Sequence, residues 1–97
     1  MAKMTSDEAR NLVQTLPGWV LEGETLRRQF TFQNFTDAVT FLVRLGFDAE
    51  AADHHPDILI QYKRVTLTFT THSAGGLTVR DFDGAKAATQ VAARLGS

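Results

Sequence analysis

From Val65 to His72 the chain alternates without interruption. Val65, Leu67, Phe69 and Thr71 point one way, and Thr66, Thr68, Thr70 and His72 point the other. One side of this strand is apolar apart from its last residue, and the other is wholly polar. Such a strand belongs in a sheet that buries one face and leaves the other to solvent. The rest of the chain has to supply the cover for the apolar side.

Three helical patterns can supply that cover. Thr5-Ser6-Asp7-Glu8 fits a capping box, and Ala9, Leu12, Val13 and Leu16 follow at helical spacing until Pro17-Gly18 stops the run. A longer stripe of Phe35, Ala38, Val39, Leu42, Leu45, Gly46, Ala49 and Ala52 predicts a second helix. It starts near Asn34 to Thr36 and ends near Asp53, because the residue before Pro56 is driven out of the helical region. Phe82, Ala85, Ala88, Val91, Ala92 and Leu95 mark a third helix over about Thr78 to Leu95. Between these lie strands at Trp19–Leu21 and Leu26–Phe32, turned at Gly23, and at Asp57–Gln61 and Val65–Thr71, turned around Tyr62-Lys63-Arg64. The expected order is αββαββα, an α+β domain with a four-stranded antiparallel sheet and three helices on one face. At 97 residues one domain is expected, without repeat or linker.

Charge and composition narrow the function. The formal net charge is −1, and no basic run exceeds Arg27-Arg28, which argues against a nucleic-acid partner. No cysteine is present, so thiolate catalysis, disulfides and Cys-type zinc sites are excluded. No apolar signal core opens the chain, and no apolar stretch approaches the roughly 20 residues that cross a bilayer. A cytoplasmic location with no membrane partner is the expectation.

All three histidines fall between residues 50 and 81. An imidazole can give and take a proton near neutrality. His54 and His55 sit where the second helix hands over to a strand, and His72 ends the partner strand. A hairpin centred on Lys63 brings His72 opposite His54; one centred between Lys63 and Arg64 brings it opposite His55. Glu50, four residues before His54, and Asp81, in the first turn of the last helix, can hold imidazoles in place. Plainer readings exist: Asp81 as the acid of a capping box with Thr78, Glu50 as a solvated helix residue, and Tyr62 as a turn-edge aromatic. A zinc site of His54, His55 and His72 is the weaker alternative, because adjacent histidines diverge and the helical HExxH spacing is absent. The Gly75-Gly76 loop has no phosphate-binding pattern.

The run Glu50-x3-His54-His55-Pro56-x5-Tyr62-x9-His72-x8-Asp81 resembles the signature of the pterin-4a-carbinolamine dehydratases. Gly18-Trp19, Phe30, Phe32 and Arg80-Asp81 extend the likeness over nearly the whole chain, while Asp83 offers a second acid near the last position. The resemblance implies dehydration of 4a-hydroxytetrahydropterin to quinonoid dihydropterin, which recycles the cofactor of aromatic amino acid hydroxylases. It implies His54, His55 and His72 as active-site residues, Glu50, Tyr62 and Asp81 as supporting ones, and neither metal nor other cofactor. It further implies a homodimer or homotetramer. Some members also partner a homeodomain transcription factor, so a non-catalytic dimerisation or regulatory module on the same fold is the alternative.

Overall fold

The computed structural model describes residues 2–97. The elements run α1 (Ser6–Val13), β1 (Val20–Glu22), β2 (Thr25–Thr31), α2 (Phe35–Ala52), β3 (Asp57–Gln61), β4 (Arg64–Phe69) and α3 (Val79–Arg94), with a 3-10 turn at His72–Ala74 before α3. The αββαββα order and the α+β class are as expected. The four strands are antiparallel in the order β1-β2-β4-β3, so two sequential hairpins meet along β2 and β4. Among the described residues no helix is long and apolar enough to cross a membrane.

Alternation places the core. Leu26, Phe30, Val65, Leu67 and Phe69 are buried on one face of the two central strands, where the helices cover them. The opposite face carries Gln29, Thr31, Thr66 and Thr68, none of them buried. Aromatic rings fill the middle: Trp19 lies edge-on to Phe30 at 5.9 Å, and Phe41 of α2 sits 5.0 Å from both Phe30 and Phe32. Each ring buried this fully contributes about 1.5–3 kcal/mol. On α3, Ala85, Ala88 and Ala92 are buried, and their small side chains let the helix lie close to its neighbours.

Helix ends follow local chemistry. Thr5 and Glu8 close a reciprocal capping box on α1. The bonds from Thr5, the backbone N–H first, hold the Glu8 carboxyl below its ordinary value. Asn34 caps α2 through the Asp37 amide. At the other end of α2, Asp53 takes the left-handed conformation (φ 52°). Its N–H bonds the Glu50 carbonyl, and the His54 N–H reaches back to Ala49. That is a Schellman ending with aspartate in the place glycine usually holds.

Several expectations need correction. The β3–β4 hairpin turns on two residues, Tyr62 and Lys63, with Gln61 paired to Arg64 and Asp57 to Thr68. Neither proposed centre is therefore right. Tyr62 adopts φ 54°, the left-handed geometry that tight hairpins favour, and this moves the register. The last strand stops at Phe69 rather than Thr71; Thr71 only bridges Gly76, and His72 begins the 3-10 turn. The first helix ends at Val13, although Leu16 beyond it is buried. Phe35 opens α2 but is 52% exposed and not part of the core stripe.

Candidate active site

The Schellman ending of α2 aims the chain. It halts the helix at Asp53 and turns His54 toward the sheet, where its ring lies near-parallel to buried Phe69 with centroids 6.0 Å apart. Arg80, at the start of α3, secures this corner. Its guanidinium donates to the carbonyls of Ala52 (2.9 Å) and Asp53 (2.6 Å), oxygens that the end of a helix leaves without an intrahelical donor.

His54 is bonded through Nε2 to Oδ1 of Asp81 at 2.5 Å, and its side chain is only 11% exposed. Asp81 is fully buried. Its other oxygen, Oδ2, accepts from the Thr78 backbone N–H (2.9 Å) and the Thr71 hydroxyl (2.8 Å). Asp81 therefore serves as the capping-box acid of α3 and as the partner of His54 at once. Asp83 is exposed and faces a neighbouring groove, so the geometry favours Asp81 as the supporting acid. His55 diverges from His54 and pairs through Nε2 with Glu50 Oε1 at 2.7 Å, both side chains exposed. His72 stands exposed on the 3-10 turn.

The three imidazoles line one open cleft of about 350 Å3, with Asp53, Thr71 and Arg80 among its walls. A second groove of about 260 Å3, between α2 and α3, shares His54 and Arg80, and its walls include apolar Leu45, Ala49 and Phe69 and the acids Asp48 and Asp83. The structure thus gathers His54, His55 and His72 with Asp81 beneath one and Glu50 beside another. It does not bring Tyr62 to them. Tyr62 is 67% exposed in the hairpin turn, its ring 5.9 Å from Lys63 Nζ. It lies at the far end of β4, and the five steps from Arg64 to Phe69 span ~17 Å. Among the described residues, no three His, Cys, Asp or Glu side chains form a metal-holding group.

Thr71, Thr78, Phe69 and Arg80 complete the surroundings of the histidines; of these the sequence offers Thr78 only as the capping partner of Asp81 and Arg80 only as part of the family likeness. One signal was present: Thr71 is a hydroxyl on the apolar face of an otherwise alternating strand. A polar group buried there needs a partner. Arg80 carries no comparable local signal.

This geometry can be set beside known proteins. Residues 2–91 match the family described as Pterin 4 alpha carbinolamine dehydratase. A protein of Nostoc sp. is 46% identical over 92 residues, covering 94% of this chain and 99% of its own length. One from Thermomicrobium roseum is 44% identical over 92 residues, covering 95% and 99%. Both bear the name "Putative pterin-4-alpha-carbinolamine dehydratase". The crystal structure of a transcriptional coactivator/pterin dehydratase from Brucella melitensis superposes with a TM-score of 0.89 at 34% identity, covering 93% of this chain and 98% of that one. With the match spanning both hairpins, all three histidines and Asp81, the chain belongs to the pterin 4 alpha carbinolamine dehydratase family.

Proposed function

We propose that the protein is a hydro-lyase that converts 4a-hydroxytetrahydropterin to quinonoid dihydropterin by histidine acid–base catalysis. The observation that carries this reading is the convergence of three imidazoles from two elements on one cleft, one of them backed by a buried carboxylate. The reaction breaks the bond from carbon 4a to its hydroxyl and removes the proton on nitrogen 5; the products are the quinonoid pterin and water. It requires one group to protonate the departing hydroxyl and another to accept the nitrogen proton. An imidazolium and a neutral imidazole meet both needs, and the proton count returns to its start. Positioned acids and bases typically contribute about 10²–10⁴-fold.

The placement of the rings supports a division of labour. His54 is anchored from α2 and His72 from the turn after β4, so they approach a bound ring from different directions. In this scheme they are the alternative donors to the 4a hydroxyl, one for each face. His55, turned away beside Glu50, holds the pterin. The product would re-enter the cofactor cycle of an aromatic amino acid hydroxylase. The Brucella protein is also described as a transcriptional coactivator, which favours a second reading of the fold as a regulatory module.

Stopped-flow kinetics with enzymatically generated 4a-hydroxytetrahydropterin tests the proposal. The wild-type chain accelerates dehydration over buffer. His54→Ala and His72→Ala each keep residual turnover on a mixture of 4a epimers, and the double variant loses far more than either. His55→Ala raises KM as well as slowing turnover. No acceleration by the wild-type chain would favour the regulatory module. Wild-type rates in both single variants on both epimers would overturn the donor assignment.

A further inference from the structure

The direction of each hydrogen bond around Asp81 can be worked out by counting protons. The Thr78 backbone N–H can only donate, and it points at Oδ2 of Asp81. The Thr78 hydroxyl oxygen accepts from the Arg80 backbone N–H at 3.3 Å, so its own proton is free to go elsewhere. Within reach is the Thr71 oxygen, 2.9 Å away. Thr71 in turn lies 2.8 Å from Asp81 Oδ2, where only its hydroxyl can supply the proton if the carboxylate is ionised. All three residues are buried, and no buried side-chain nitrogen or oxygen among the described residues lacks a partner. The chain of donation runs from Thr78 to Thr71 to Asp81. With Asp81 ionised, both of its oxygens can only accept, so Oδ1 accepts from His54 Nε2–H.

The backbone of Thr71 has a second task. Its N–H bonds the Gly76 carbonyl at 3.1 Å, and its carbonyl accepts from the amides of Ala74 (3.0 Å) and Gly76 (3.3 Å). Those bonds close the turn that carries His72. One residue therefore fixes the His72 turn through its backbone and the His54 partner through its hydroxyl.

We infer that Thr71 is a positioning residue: its hydroxyl, fed by Thr78, keeps Asp81 an acceptor, which sets the proton of neutral His54 on Nε2 and leaves Nδ1 as the nitrogen available to substrate. The kinetic part of this inference rests on the dehydratase reading above; the tautomer part needs only the geometry and an ionised Asp81.

Thr71→Val keeps the shape and the backbone bonds but removes the donated proton. Loss of one charge-assisted bond to the carboxylate is expected to lower kcat about tenfold. KM should stay within about twofold, because Thr71 acts through His54. Thr71→Ser restores the donor and should recover kcat to within about threefold of wild type. Nitrogen-15 spectra of the histidine-labelled wild-type chain, at a pH where the rings are neutral, should show His54 protonated at Nε2. A folded Thr71→Val with wild-type kcat would overturn the positioning role, and His54 protonated at Nδ1 would overturn the network. If Thr71→Val does not fold, the wild-type tautomer decides alone. A wild-type chain without dehydratase activity counts against the functional reading, while the tautomer still tests the inference.

Discussion

Gly84 offers a test in which two physical effects have opposite signs. It lies inside α3, where alanine is favoured over glycine by about 0.8–1 kcal/mol. On that ground alone Gly84→Ala stabilises. Yet a β-carbon built there would fall 2.6 Å from Cε1 and 2.9 Å from Cζ of Phe69. Carbon atoms settle at about 3.5–4 Å, so the overlap approaches 1 Å. The Phe69 ring has little room to retreat. It is buried, with Trp19 at 5.9 Å and the His54 ring at 6.0 Å. Overpacking of this kind costs about 1–3 kcal/mol. The clash should outweigh the propensity gain, leaving a net destabilisation of about 1 kcal/mol. For a domain of this size that is about 4–8 °C in Tm. Because His54 rests on Phe69, the displacement is passed to the imidazole, and an error near 1 Å at a reacting group can cost about 100-fold. We expect kcat to fall at least tenfold. Urea denaturation at fixed protein concentration and stopped-flow dehydration measure the two effects. A variant stabilised by about 1 kcal/mol with full activity would refute the reasoning, because it would mean that Phe69 yields freely and does not seat His54.

Arg80→Met removes both donors from the carbonyls that end α2; stability should drop by about 1–2 kcal/mol and kcat by about tenfold, read by the same two assays. Thr89→Val takes away the acceptor of the Trp19 indole N–H, 2.8 Å distant, and should cost about 1 kcal/mol in urea denaturation while kcat stays at the wild-type value. The chain should behave as a homo-oligomer, since edge strand β3 leaves Ile58 and Leu59 exposed; light scattering at micromolar concentration that returns the mass of a single chain would contradict this.

The elements were legible because periodicity is strong in this chain. The 3.6-residue stripe of α2 and the alternation of β4 each admit one reading, and together they give the αββαββα order. The hairpin register was not legible, because it depends on Tyr62 accepting a left-handed conformation that no local residue preference demands. The same limit applies to the ending of α2. Pro56 announces that the helix stops, but not that Asp53 closes it in left-handed geometry and aims His54 at Phe69. The histidines and Asp81 could be grouped from spacing. The pairing of Asp81 with His54, and of Glu50 with His55 rather than His54, required side-chain directions that spacing does not contain. Tyr62 shows the reverse failure: it fits the spacing of the motif, yet the hairpin carries it to the opposite end of the sheet.

The adjacency of β2 and β4 has a consequence for how the protein reaches its working form. Pairing Thr31 with Arg64 closes a loop that contains all of α2 and β3. Each hairpin can form early from neighbouring residues, but this joint waits on a long-range encounter, and such encounters slow folding. His54 lies inside the loop; Thr71, His72 and Asp81 lie beyond it. The bond between the imidazole and the carboxylate therefore joins residues on either side of the joint. The amide of Thr78, buried against Asp81, should exchange its hydrogen only when the whole domain opens, so its exchange rate reports global stability from beneath the cleft.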